Sequence, residues 1–316
     1  MITNARILVT GGAGFIGSQL AKVLIEQNEI VIFDNFSRDA LQHRDLSKHP
    51  HLHIIKGDIC DAEAVEKAVQ GADYVIHCAG IAGIDTVCLS PTNTMRVNML
   101  GSWTVLDAAS RQSSVKRVVC FSTSEVFGGM AFSSTEADRT VIGTVGSARW
   151  TYAVSKLAEE HLAISFHKEK GLPATVLRPF NIYGPGQVGE GALKIFIQKA
   201  LKDEPITIYG DGTQIRAWCY VDDMVDATLR CLEDPKAVGE SFNIGNARSV
   251  ETIYGLANAV VRILRSHSEI RFESAKSADI DLRIPCVKKA REILGFEAKT
   301  TLEDGIMLTA SYYRKC

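Results

Sequence analysis

Tyr152 and Lys156 stand four residues apart in a stretch with helical apolar spacing, so their side chains share one face. A free tyrosine hydroxyl gives up its proton near pH ~10. An ammonium one turn away stabilises the phenolate and lowers that value. A phenolate so placed can take the proton of an alcohol while the alcohol carbon gives up a hydride. Upstream, Ser122-Thr123-Ser124-Glu125-Val126-Phe127-Gly128 closes an apolar run. The Thr123 hydroxyl can hydrogen-bond the reacting alcohol. Glu125 matters chemically only if the reaction goes beyond hydride transfer; read by itself, it is a loop carboxylate facing water.

The elements that would position these groups follow from the apolar pattern. Residues 6–10, 29–33, 53–56, 74–77, 118–122 and 174–177 read as strands, with helical spacing over 19–26, 62–69, 94–109 and 152–168. Strand and helix alternating at this pitch predict an α/β fold of the Rossmann type. Its parallel, doubly wound sheet is covered on both faces. Past Asn181 the glycines at 184, 186, 189 and 191 mark a loop-rich change of texture. The expected division is a dinucleotide-binding domain over 1–177, to which 220–247 returns, and a smaller C-terminal α/β lobe from 178–219 and 248–316.

Gly11, Gly14 and Gly17 follow the first strand directly and open a helix. Missing side chains at this spacing let the turn form, let backbone N–H groups approach a pyrophosphate, and let helix and strand pack closely. Asp34 ends the second strand, where a carboxylate accepts the adenosine ribose hydroxyls and repels a 2′-phosphate. That predicts NAD as the hydride acceptor, whose positive nicotinamide ring would join Lys156 in lowering the Tyr152 hydroxyl. Arg38 is the counter-argument, because an arginine just beyond this position can bind the phosphate of NADP. Asp58 and Ile59, after the third strand, would lie at the adenine, although Asp58 in Lys-Gly-Asp also suits a plain turn.

Composition narrows the rest. A net charge of -2 argues against a nucleic-acid or membrane surface as the main partner. No apolar run is long enough to span a bilayer, and the N-terminus reads as a strand and turn rather than a targeting segment. Eight cysteines without C-x-x-C spacing suggest free thiols in a reducing cytosol, so a cytoplasmic enzyme is expected. His49, His51 and His53 alternate in a polar approach to a strand. With no thiol or carboxylate nearby they predict a solvated edge, and no metal site is expected.

Beyond the glycine turn, the Ser122–Gly128 segment and Tyr152/Lys156, three further motifs occur in order. They are Arg178-Pro179-Phe180-Asn181-Ile182-Tyr183-Gly184-Pro185-Gly186, Gly210-Asp211-Gly212-Thr213-Gln214-Ile215-Arg216, and Leu282-Arg283-Ile284-Pro285. Together they resemble the NAD-dependent nucleotide-sugar epimerase/dehydratase family, extended short-chain dehydrogenases/reductases, over essentially the whole chain. The resemblance implies that Asn181 contacts the sugar nucleotide and that Arg216 and Arg283 clamp its phosphates. It implies cofactor contacts from Phe15, Ile16, Asn35, Ala79, Ser122 and Pro179 as well as from Tyr152 and Lys156. Asn98 matches a cofactor-site position that orients the lysine. It also implies a homodimer in which helices over 94–109 and 152–168 pair with their copies.

Members of this family begin alike, by oxidising C4 to a ketone. Thr123-Ser124-Glu125 is similar to the triplet of UDP-glucuronate decarboxylases and of GDP-mannose 4,6-dehydratases, whereas typical 4-epimerases lack a carboxylate where Glu125 stands. Arg149, three residues before Tyr152, also resembles the decarboxylases and is expected to help place the substrate. Ala153-Val154-Ser155 is closer to the dehydratase and epimerase pattern. The expected function is therefore a nucleotide-sugar enzyme working through a 4-keto sugar, foremost a UDP-glucuronate decarboxylase. A 4-epimerase, a 4,6-dehydratase and a non-catalytic NAD sensor remain as alternatives.

Overall fold

The computed structural model describes residues 2–44, 46, 48–274 and 280–315. Seven strands form its main sheet: β1 (Arg6–Thr10), β2 (Glu29–Asp34), β3 (Leu52–Lys56), β4 (Tyr74–His77), β5 (Arg117–Phe121), β6 (Ala174–Pro179) and β7 (Ser241–Ile244). They lie in the order β7-β6-β5-β4-β1-β2-β3, every pair parallel. Successive side chains on a strand point to opposite faces. Ile7 and Val9 of β1, Ile30 and Ile32 of β2 and Val119 of β5 fill a core on one face. Leu8, Val31, Val118 and Cys120 fill the core on the other. Both faces are covered, which is why these strands read as nearly unbroken apolar runs.

The first core is closed by α1 (Phe15–Leu24) through Leu20, Ala21 and Leu24, and by the helix Val221–Glu233 through Met224 and Val225. Helix α1 begins at Phe15, four residues before the sequence predicts, so Gly14 caps it and the glycine turn feeds straight into its N-terminus. The expected helix over 94–109 is a composite: an α turn at Pro91–Met95, a π turn at Arg96–Leu100, then α2 (Gly101–Ser110). A π turn adds one residue per turn and is missed by a 3.6-residue spacing rule. Helix α3 (Thr151–Lys170) carries Tyr152 and Lys156 and ends at Gly171 in the left-handed conformation.

A four-stranded sheet of Val250–Thr252, Ile215–Ala217, Leu282–Pro285 and Met130–Ser134, with two two-stranded sheets, builds the rest. A separate apolar core lies there, around Tyr183, Phe196, Ile208, Trp218, Leu256 and Ile306. Strand β7 pairs with β6 in the main sheet. His53 lies 3.4 Å from Glu29 on the β3 edge, so a carboxylate does stand beside these histidines, brought there by strand pairing that the sequence does not report; the His49 and His51 rings lie 5.6 Å apart and tilted. The seven described cysteines are free thiols; Cys316 lies outside the described residues. Among the described residues no helix is long and apolar enough to cross a membrane.

Candidate active site

The strand order reverses between β1 and β4, and there the two chain segments nearly touch. A Cβ on Gly11 would stand 2.5 Å from the Ala79 backbone nitrogen, and Gly11 has φ +67°. A Cβ on Gly17 would strike the Gly11 carbonyl at 2.5 Å. Only glycine suits both positions. The turn opens into a cleft of about 590 Å³ lined by Gly11, Gly14, Phe15, Ile16 and Gly17. Asp34, Asn35, Asp58, Ile59 and Ala79 form its far wall. Asp34 accepts from Ala13 N at 3.0 Å and Phe36 N at 2.7 Å, which fixes its carboxylate in that wall. Burial pushes the Asp34 carboxyl above its ordinary value, against these two backbone hydrogen bonds. Asp58 makes the turn that the sequence allows, its Oδ1 accepting from Cys60 N at 3.0 Å, and it also lines the cleft, where its Oδ2 pairs with Arg96 at 3.2 Å.

At the other end Ser122, Thr123, Ser124 and Pro179 continue the lining from the carboxyl ends of β5 and β6. Lys156 is almost fully buried; its Nζ donates to Phe121 O at 2.8 Å and to Glu159 Oε2 at 2.6 Å. Thr123 hydrogen-bonds with the Tyr152 hydroxyl, and its Oγ1 accepts from Glu125 N at 3.2 Å. Glu125 pairs with Arg149 Nη1 at 2.7 Å and lies 3.7 Å from Arg283 Nη1. A second cavity of about 550 Å³ adjoins the cleft, walled by Phe196, Ile208 and Tyr209 among others. The two cavities have Gly83, Glu125, Tyr152 and Glu190 in common. Tyr152 and Glu125 therefore stand where one chamber opens into the other.

A model of the NAD dependent epimerase/dehydratase family matches residues 7–245. The chain belongs to that family. It is 34% identical over 98% of its length, and 98% of the other's, to a UDP-N-acetyl-alpha-D-glucosaminuronate decarboxylase of Bacillus cytotoxicus. It is 33% identical to UDP-glucuronic acid decarboxylase 6 of Arabidopsis thaliana, covering 99% of this chain and 90% of that protein. Among solved structures it is similar to a UDP-glucuronic acid 4-epimerase from Bacillus cereus, crystallised with UDP-glucuronic acid and NAD. There the TM-score is 0.88 and the identity 28%, covering 98% of this chain and 99% of that one.

The epimerase/dehydratase chain uses NAD, and its cleft fits that cofactor. A Cβ on Gly14 would meet only the Gly11 carbonyl, at 3.1 Å, so the space above the start of α1 is left open for a phosphate. The Ser122 hydroxyl is buried in the cleft wall with no hydrogen-bond partner among the described residues. Arg38, the residue that could have favoured NADP, is committed elsewhere: its Nη2 donates to Ala82 O at 2.8 Å and Thr86 Oγ1 at 2.9 Å. Asp34→Ala should therefore relax the preference for NAD, because it removes the repulsion of a 2′-phosphate. Dissociation constants for both cofactors measure this, and unchanged discrimination in the variant would remove Asp34 from that role.

Several candidates stand differently from expectation. The Tyr152 hydroxyl of the protein lies above its ordinary value, not below it. Burial dominates, Lys156 and the Thr123 hydrogen bond pull downward, and Glu125 and Glu159 push upward. The lysine's help is real but is outweighed in the chain alone. Asn98 does not line the cleft; it is fully buried in the π turn and ties Ile81 N (2.7 Å), Ile81 O (3.1 Å) and Ser155 Oγ (2.9 Å) together. It thus braces the segment after Ala79 against α3. Arg216 and Arg283 are in register on adjacent strands, yet only Arg283 reaches the cleft, at the Glu125 end. Asn181 lines the cleft with φ 42°, while its amide donates to Ala217 O at 2.9 Å. The sequence reading missed Glu159 and Glu190. Glu159 lies three residues past Lys156 on the same helical face, a signal that resembles any exposed i,i+3 pair.

Proposed function

We propose that this enzyme decarboxylates a UDP-linked uronic acid through a 4-keto sugar, with UDP-glucuronate giving UDP-xylose. The observation that carries it is the junction of the two cavities, where Tyr152 meets a Glu125 held by Arg149. Hydride transfer alone uses Tyr152, Lys156 and Thr123. The Arg149 guanidinium beside them offers a cation to a sugar carboxylate, which a neutral hexose lacks. All three relatives described above are named for a UDP-linked uronic acid.

Tyr152 accepts the proton of the C4 hydroxyl, with Thr123 holding that oxygen. The chemistry supplied by bound NAD is reversible acceptance of the C4 hydride. Once C4 is a ketone, the C6 carboxylate is β to it and leaves as carbon dioxide, its bonding electrons passing into a C4–C5 enolate. The Thr123 and Tyr152 hydroxyls donate to the enolate oxygen, as oxyanion donors do. Ser124 and Glu125 manage the proton that is placed on C5, and reduction of C4 completes the product. Arg149, fixed by Glu125, faces the carboxylate end of the sugar. We assign nucleotide-sugar binding to the lobe of residues 178–219 and 248–316, with Asn181 and Arg283 on its side of the cleft.

Incubation with UDP-glucuronate, UDP-N-acetylglucosaminuronate and UDP-glucose, followed by mass spectrometry, tests the reading. Loss of the carboxyl group from a uronate supports it; turnover of the neutral hexose alone overturns it. The likeness to a UDP-glucuronic acid 4-epimerase favours one alternative, an isomer of unchanged mass with C4 inverted. The proposal includes a cytoplasmic homodimer paired through α2 and α3, on which Trp103 and Val154 are exposed. A monomer at micromolar concentration in sedimentation would contradict the dimer.

A further inference from the structure

Glu159 is completely buried, and its Oε1 has no hydrogen-bond partner among the described residues. The Ser102 hydroxyl faces it but gives its one proton to Asn98 O at 2.5 Å. A buried carboxylate so poorly solvated is retained only beside a cation, here Lys156 at 2.6 Å. An ammonium has three N–H donors. Phe121 O and Glu159 take two from behind, which leaves one for the cleft that Lys156 lines.

We propose that Glu159 is a positioning residue of the oxidation step, gripping the Lys156 ammonium from behind and setting how much of its charge reaches the Tyr152 hydroxyl. The inference rests on the reading of Tyr152 as the base. Lys156 would lose charge through burial, but Glu159 and Tyr152 more than offset this and hold it as an ammonium. Burial pushes the Glu159 carboxyl up to about 7, against the pull of Lys156.

The other groups around the pair are accounted for. From β4, His77 is held neutral, pushed down to about 3 by burial and by Lys156; its ring contacts Thr10 Oγ1 at 2.7 Å and Ser102 Oγ at 3.0 Å. The Cys78 thiol just after β4 and Cys120 of β5 are pushed up by burial and remain neutral. On α3, Glu160 is taken by Arg178; Glu125 also pushes Tyr152 upward, and is itself paired with Arg149 and Arg283. The variable member is therefore Glu159. As an anion it cancels part of the Lys156 charge and keeps Tyr152 high. As a neutral group it leaves the ammonium to Phe121 O and to the Tyr152 phenolate, the other anion that holds Lys156 charged, and Tyr152 falls.

Glu159→Gln imposes the neutral state at every pH. The readout is the tyrosinate absorbance of NAD-loaded protein against pH, taken as the difference between each protein and its Tyr152→Phe counterpart. The Tyr152 midpoint should fall by about one pH unit or more in Glu159→Gln. Glu159→Asp, one methylene shorter, draws the charge back from Lys156 and should move the midpoint the same way by less; it decides the matter if the glutamine variant does not fold. A purely structural glutamate would change melting temperature and leave the midpoints coincident, which overturns the proposal. Turnover of UDP-glucuronate by Tyr152→Phe separates the two claims. If that variant is inactive and the midpoints coincide, only the Glu159 inference fails; if it turns over normally, the reading of Tyr152 fails.

Discussion

Tyr152→Phe should lose on the order of 10²–10⁴-fold in turnover, the usual worth of a positioned general base. The substitution keeps the ring and deletes only the hydroxyl that meets Thr123 at the mouth between the cavities. NAD content should stay at the wild-type level, because the glycine turn and Asp34 do not depend on that hydroxyl. Single-turnover absorbance of reduced cofactor separates the two effects: no transient signal, with cofactor still bound. A normal transient would remove Tyr152 from the mechanism.

The second large effect concerns stability. Arg178 on β6 and Glu160 on α3 are both almost fully buried, with Arg178 Nε 3.0 Å from each carboxylate oxygen and Ser241 Oγ donating to Glu160 at 2.9 Å. The Arg178 guanidinium also lies 5.0 Å over the Phe127 ring. This cluster fastens the helix that carries Tyr152 and Lys156 to the strand ends and to the turn that carries Glu125. Arg178→Ala should cost about 3–5 kcal/mol, because it strands a buried carboxylate. Replacing both partners by apolar residues, as in Arg178→Met with Glu160→Leu, should recover much of that loss. Urea unfolding of the single and double variants measures it. A double variant as unstable as the single would mean that the charge pair itself, not the stranded carboxylate, holds the helix.

The sheet was legible because its strands are buried on both faces, so 6–10 and 74–77 stand out as apolar runs bounded by polar turns. The meeting of the glycine turn, Asp34 and Tyr152 with Lys156 around one cleft was legible for a related reason: it depends on local spacing along one strand, turn or helix. What escaped were contacts made across the chain. Arg38 stands as a counter-argument for NADP until the loop at Ala82 and Thr86 folds onto it. Arg216 and Arg283 read as a matched clamp, whereas tertiary packing sends Arg283 to Glu125. Glu159 reads as a solvated helix residue because nothing local reports that α3 buries that face against β4, β5 and α2. The raised Tyr152 hydroxyl has the same origin, since desolvation is a property of the packed site and not of the Y-x-x-x-K spacing.

The most direct measurement of the proposed reaction is carbon dioxide release from UDP-glucuronate labelled at the C6 carboxyl, followed together with the sugar product. Label should leave as carbon dioxide in step with the appearance of UDP-xylose, with no net accumulation of reduced cofactor. Label retained in a UDP-uronate inverted at C4, or no turnover of UDP-glucuronate beside rapid turnover of UDP-glucose, would contradict the decarboxylase assignment.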